Sequence, residues 1–223
     1  MSDPAAARRL AWLSLYATAM GLLEAIVVVY LRELYYPGGF RFPIVIIPDR
    51  MAAIEIAREA ATLLMLLAVA ILAGRDRHDR FFVFALLFGV WDIVYYGGLL
   101  VLLGWPESLL TWDLLFLIPL PWIGPVVAPL AVSVVLIGGF VTHESLRRRG
   151  LELRLGRREW GAACCGALIV IVALCWNWRA VAEQTIPASF PYAIFCLGLA
   201  VGIAPFVRAA LRADRAPRAE VSN

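Results

Sequence analysis

Lysine is absent from this chain, and histidine occurs only at His78 and His143. All 20 basic residues are arginine, a bias read here as the composition of a GC-rich bacterial genome and not as mechanism. With so few imidazoles, haem and the usual zinc sites lack their ligands. The Glu-x-x-His pairs of di-iron bundles are missing too. The four cysteines, Cys164, Cys165, Cys175 and Cys196, include no CxxC spacing and fall in the last two apolar segments. They read as small buried apolar residues, which argues against a zinc site or a disulfide framework. There is no GxSxG, GxGD or NDxxD motif to name a hydrolase, an aspartyl protease or a prenyltransferase, and no internal repeat. Charge is scarce as well, at 17% of residues.

What fills the chain is hydrocarbon. Apolar residues make up 62% of the 223 and the mean hydropathy is +0.81, where soluble domains run near ~45–50% apolar. This is the composition of an all-α polytopic membrane protein with one integral membrane domain. Hydropathy predicts six transmembrane helices, at about 10–31, 51–73, 81–103, 122–142, 160–179 and 190–211, followed by a short tail at 212–223. Arg8-Arg9, an apolar run and Ala17-Thr18-Ala19 resemble a signal peptide with its cleavage site. The run continues to Leu31, however, long enough to span, and reads as an uncleaved first helix.

Arginine placement predicts orientation. Fifteen arginines flank one set of helix ends, against Arg32, Arg41, Arg50 and Arg179 at the other, with Arg58 inside the second helix. The positive-inside rule then puts both termini in the cytoplasm of a multi-pass inner-membrane protein. The Arg147–Arg158 stretch reads as topology and anionic-lipid contact, not nucleic-acid binding. Two outer connections are rich in proline. Residues 37–48 are too short to span and too apolar for a free loop. Residues 105–129 read as a short interfacial helix near Glu107–Leu117, an extended IPLPW break, then the fourth helix. These outer segments are expected to be interfacial or re-entrant.

Ionisable side chains inside the apolar segments are the best pointer to a site, because a charge in hydrocarbon costs a few kcal/mol. They are Glu24, Glu55, Arg58, Glu59 and Asp92, with Asp113 close behind. At about 1.5 Å per residue, Glu24 lies ~10 Å below the outer boundary, Glu55 ~6 Å, Glu59 ~12 Å, and Asp92 near the midplane. Three helices thus place carboxylates in one layer. Glu55 and Glu59 share a helix face with Ala52 and Thr62, and Arg58 can pair with Glu55. Tyr95 and Tyr96 lie one turn above Asp92. Ala17 and Gly21 form a small-residue stripe beside Glu24 that admits another helix closely. Four buried carboxylates and one arginine cannot all stay charged without relief. Protons, a cation, water, or arginines reaching in from Arg32 or Arg50 would supply it. If a metal binds, a hard divalent cation fits an all-carboxylate site.

The predicted roles follow. Glu24, Glu59 and Asp92 would be the acid/base groups of a membrane-embedded enzyme or binding protein for an apolar or amphipathic ligand. Arg58, Glu55, Tyr95, Tyr96, Asp113 and Trp112 would bind that ligand. Plainer readings stand beside these. Glu55–Arg58 is then a structural ion pair, Asp113 a cap or surface group, and His143-Glu144 a solvated helix end. Tyr30, Tyr35, Tyr36, Trp105, Trp112 and Trp122 form an outer aromatic belt. The cytoplasmic halves carry few polar groups, chiefly Ser14, Tyr16, Ser133 and Thr142, which favours a one-sided pocket over a transport route. A proton- or cation-coupled carrier and an assembly subunit are the alternatives. Membrane lipids are the expected partners, with a homo-oligomer or helix partner through the Gly198/Gly202 motif.

Overall fold

The computed structural model describes residues 4–215. Helices α1 (Pro4–Tyr35), α2 (Asp49–Ala73), α3 (Arg77–Leu103), α4 (Val127–Arg148), α5 (Arg157–Cys175) with its short continuation α6 (Trp178–Ala182), and α7 (Tyr192–Arg215) make up the bundle. They supply six spans long and apolar enough to cross a membrane, as hydropathy predicts. Most observed helices outrun the apolar runs, because helical hydrogen bonding continues into the polar flanks where hydropathy has already fallen. The expected tail at 212–223 lies mostly outside the described residues, and α7 itself runs on to Arg215.

Inside a bilayer, close packing rather than water exclusion joins helices, so small residues mark the contacts. The stripe on α1 does this. A Cβ on Gly21 would lie 2.5 Å from the Trp91 carbonyl oxygen and 2.9 Å from Val94 Cβ, so α3 rests directly on the α1 backbone. Gly98 of α3 returns the contact against Ala25, where a Cβ would approach to 2.7 Å. Gly198 and Gly202 of α7 meet Gly166 of α5 in the same manner. The GxxxG face is therefore used within the chain. The cysteines are not core residues: Cys164, Cys165 and Cys196 lie exposed on the outer faces of α5 and α7.

Short caps set the helix ends. Gly74 closes α2 through its N–H to the Ala70 carbonyl at 2.9 Å. Asp76 then caps α3, accepting from the His78 and Asp79 N–H groups, each at 2.9 Å. Those bonds, first of all the Asp79 N–H, and the nearby Arg147 hold the Asp76 carboxyl below its ordinary range. Gly104 ends α3 in the left-handed region at φ 64, a conformation that favours glycine.

The connection between α3 and α4 differs from the sequence reading. No interfacial helix covers Glu107–Leu117. Instead β1 (Trp112–Phe116) pairs antiparallel with β2 (Trp122–Pro125), with Asp113 opposite Gly124 and Phe116 opposite Trp122. The prolines at 119 and 121 cannot continue a helix and sit in the turn, while the aromatic-rich flanks suit strands. The hairpin is tied down by the Val126 N–H to the Thr111 carbonyl at 3.0 Å and the Val127 N–H to the Leu109 carbonyl at 2.8 Å. As a consequence α4 begins at Val127, five residues later than hydropathy suggests.

The helix ends near the termini hold a second polar cluster. Asp79, fully buried, accepts from Arg9 at 2.7 Å and from the Arg75 N–H at 2.8 Å, with His143 Nε2 at 3.4 Å. Glu144 pairs with Arg148 at 3.1 Å. His143 and Glu144 are thus buried, not a solvated helix end. The cause is local packing: Phe82 stacks on the His143 ring at 4.4 Å and seals it against α3.

Candidate functional site

Five buried carboxylates, the exposed Asp49 and two arginines from α1, α2, α3 and the hairpin line one cavity of about 790 Å³. Glu24, Glu55, Glu59, Asp92 and Asp113 are all buried, as a shared layer requires, and Arg32 joins them. Each of these five carboxylates meets at least one donor. Arg58 forms ion pairs with Glu24 and with Glu55, the latter at 2.8 Å. Thr62 donates to Glu24 at 3.2 Å. Glu59 accepts the Leu117 N–H of the hairpin on both oxygens, at 2.9 and 3.1 Å. Ser133 of α4 donates to Asp92 Oδ2 at 2.7 Å. Asp113, 1% exposed, takes Arg32 Nη2 at 3.1 Å and the Tyr96 hydroxyl at 3.0 Å.

These pairings resolve the charge problem in part. Arginine relieves three carboxylates: Glu24 and Glu55 through Arg58, Asp113 through Arg32. Glu59 and Asp92 have hydrogen bonds and no ion pair among the described residues. If every group ionises, the five buried carboxylates exceed the two guanidiniums by three, and the exposed Asp49 adds one more negative charge. Among the described residues no three His, Cys, Asp or Glu side chains come together as metal ligands.

Arg32 belongs to the site for a further reason. Its guanidinium sits in the corner of two nearly perpendicular rings, 3.7 Å from the Trp105 centroid and 4.3 Å from that of Phe40. Phe40 comes from the proline-rich segment after α1, and Trp105 follows α3. One cation therefore fastens the α1–α2 loop, the end of α3 and the hairpin to one another. Its Nη1 is buried and meets no acceptor among the described residues. Trp91 and Trp122 also line the cavity, and their indole N–H groups are likewise enclosed without an acceptor among the described residues. Phe116 lies between these rings, 6.1 Å from Trp91 and 5.4 Å from Trp122.

Away from the acids the wall turns apolar. Phe84 and Phe88 of α3, Leu136 and Gly139 of α4, Val170 of α5 and Ile203 of α7 contribute to it. The size and the makeup, hydrocarbon with a few convergent polar groups, match an organic ligand pocket of roughly 300–1,000 Å³. No family model, curated protein or solved structure matches this chain. The reading of the cavity therefore rests on its own chemistry.

Several residues singled out in the sequence change meaning once their neighbours are seen. Trp112 is absent from the cavity wall and packs on Phe42 and Phe190. Trp105 and Trp122 leave the aromatic belt, one stacking on Arg32 and the other lining the cavity. Asp113 is neither cap nor surface group. Tyr95 lines the cavity beside Tyr96, the ring centroids 4.9 Å apart. Ser133 is the clearest omission. With α4 taken to start near 122 it belonged to the far half of the helix; with the start at Val127, it lies six residues in and level with Asp92.

Proposed function

We propose that this is a multi-pass inner-membrane protein, both termini cytoplasmic, whose cavity binds an apolar or amphipathic ligand beside two acid/base carboxylates, Glu59 and Asp92. One observation carries the reading: these two carboxylates have no arginine partner among the described residues, yet sit on the wall of a largely apolar cavity. A carboxyl group held by neutral donors can exchange a proton with a bound molecule, whereas one locked to a guanidinium is committed. Glu24 is assigned a positioning role, since Arg58 and Thr62 occupy it. Arg58 in turn is engaged by Glu24 and Glu55 through Nη1 and Nε. The proline-rich segment 37–48 folds over the cavity through Phe40 and Ile44, in keeping with an interfacial position.

The test is lipid conversion. Protein reconstituted with a total bacterial lipid extract is incubated and the lipids are profiled by mass spectrometry. Conversion that Glu59→Gln and Asp92→Asn each reduce at least about 100-fold fits acid/base catalysis. Binding without conversion in the wild type would remove the catalytic part and keep the binding part. A second reading, a proton-coupled carrier, has one observation in its favour: the cavity wall continues past the acids to Phe81, Leu155 and Trp160, near the termini end. Substrate-dependent acidification inside proteoliposomes, lost in Asp92→Asn, would select it.

A further inference from the structure

Glu59 and Asp92 both lack an arginine, but they differ in what they have left over. Glu59 spends both oxygens on the Leu117 N–H. Asp92 spends only Oδ2, on Ser133. Its Oδ1 takes no hydrogen bond among the described residues and is not enclosed by protein; because the residue lines the cavity, this oxygen opens there. The other acid whose charge acts on Asp92 is Asp113, which Arg32 already pairs. Ionised, Asp92 is therefore an uncompensated charge at membrane depth, which is an expensive state. Its neighbours say what can compensate it. Phe88 stands one turn before Asp92 on α3 and Tyr95 one turn after, each about 5–6 Å from it at Cβ, and all three line the cavity. The Tyr95 hydroxyl feels the Asp92 charge and, like Oδ1, is neither bonded among the described residues nor enclosed. A carboxylate oxygen flanked by rings is a seat for an organic ammonium, which pairs with one carboxylate and gains from the rings. A hard metal ion needs several oxygens at once, and among the described residues no three His, Cys, Asp or Glu side chains come together. An anion would add to the acid excess, which Asp49 extends to the exposed rim. Beyond the acids, Leu136, Gly139, Val170 and Ile203 give the wall the character to take a hydrocarbon body.

We propose that the cavity binds a lipophilic amine in its ammonium form, the N–H donating to Asp92 Oδ1 between Phe88 and Tyr95 and the apolar body lying between α3/α4 and α5/α7. The proposal rests on the cavity being a ligand site, as put forward above, and adds the ligand's charge. It also names the proton that Asp92 exchanges, the one the amine brings. A proton held by Asp92 itself would relieve the same charge and leave an uncharged ligand sufficient, and the test separates the two.

Full-length protein in dodecyl maltoside is dialysed to equilibrium at neutral pH against three matched probes. They are naphthylhexyl dimethylamine, which is protonated there, its uncharged isopropyl counterpart, and the naphthylheptanoate anion. Naphthalene fluorescence reads the excess bound over protein-free micelles. Asp92→Asn keeps the size and removes the charge, and Phe88→Leu and Tyr95→Leu each remove a ring. Gly139→Trp blocks the path of the tail. Gly139 lies about 9 Å beyond Ser133 along α4, and an added Cβ there meets only Phe82 ring atoms, at 3.7 and 3.9 Å. The expected result is that the amine binds at least about tenfold more tightly than the isopropyl probe, with the anion weakest. Asp92→Asn should erase that preference, each ring change should weaken the amine about threefold, and Gly139→Trp should abolish binding. Isopropyl or anionic probe binding as tightly as the amine, and lost in Gly139→Trp, overturns this inference while the cavity remains a ligand site. So does an amine preference that survives Asp92→Asn or is indifferent to both ring changes. No saturable binding that Gly139→Trp alters overturns the ligand-site reading itself. The comparison of probes on the unsubstituted protein decides the charge even where a variant fails to fold.

Discussion

Asp113→Asn is the sharpest probe of how this bundle tolerates its charges. Asp113 and Arg32 face each other at 3.1 Å with side chains 2% and 8% exposed. Taking the charge from one partner of a buried pair strands the other, at a cost of about 3–5 kcal/mol. Asparagine keeps the size, and with its carbonyl toward Arg32 its NH2 can donate to the Tyr96 oxygen, so the loss reports charge rather than a cavity. Arg32 also keeps its two ring contacts, each worth about 0.5–2 kcal/mol, so they do not confound the single variant. Adding Arg32→Met removes the stranded cation along with those ring contacts. The double variant should therefore lose less than the sum of the two singles, with a coupling of at least about 1 kcal/mol. Equilibrium unfolding in mixed dodecyl maltoside and dodecyl sulfate micelles measures all four proteins. A cost below about 1 kcal/mol for Asp113→Asn, with additive singles, would mean a water-screened pair and refute the buried-clamp account. Should Asp113→Asn fail to purify, recovery of the double variant decides the same question.

Two further outcomes test the framework that holds the site. Gly21→Leu should destabilise by about 1–3 kcal/mol or force α1 and α3 apart, because its first added carbon already meets the Trp91 carbonyl; unfolding in the same micelles reads it, and a neutral result would break the α1–α3 contact described above. Asp76→Ala should cost about 1 kcal/mol through loss of the α3 cap. The folded carboxyl is held low, so its contribution is present above the unfolded value of about 3.9 and fades as pH falls through the lower folded value. The wild-type and alanine unfolding curves should therefore converge on acidification, and a gap that widens would contradict the cap.

The acids were legible because hydropathy makes a charge in an apolar run conspicuous. Helix periodicity then sets Glu24, Glu55, Glu59 and Asp92 at comparable depth, since rise per residue is fixed. Thr62 shares the face of Glu55 and Glu59 and Ser133 stands out as polar, but neither points to a partner, because a hydroxyl in a spanning helix can bond its own backbone. Arg32 lay at a helix end, where arginine is expected at a membrane boundary, and only its partners reveal that it turns inward.

The sequence alone determines the spans, the scarcity of metal-ligating side chains and the layer in which the carboxylates lie. These depend on composition and on local helical geometry. Tertiary structure decides which donor each carboxylate meets, because those donors are 3 to 81 positions away in the chain and arrive through packing. It also decides that residues 112–125 form a hairpin. A short proline-broken segment has no periodicity of its own strong enough to choose helix or strand. The bundle it closes makes the choice, with Glu59 accepting from the Leu117 N–H and Arg32 donating to Asp113.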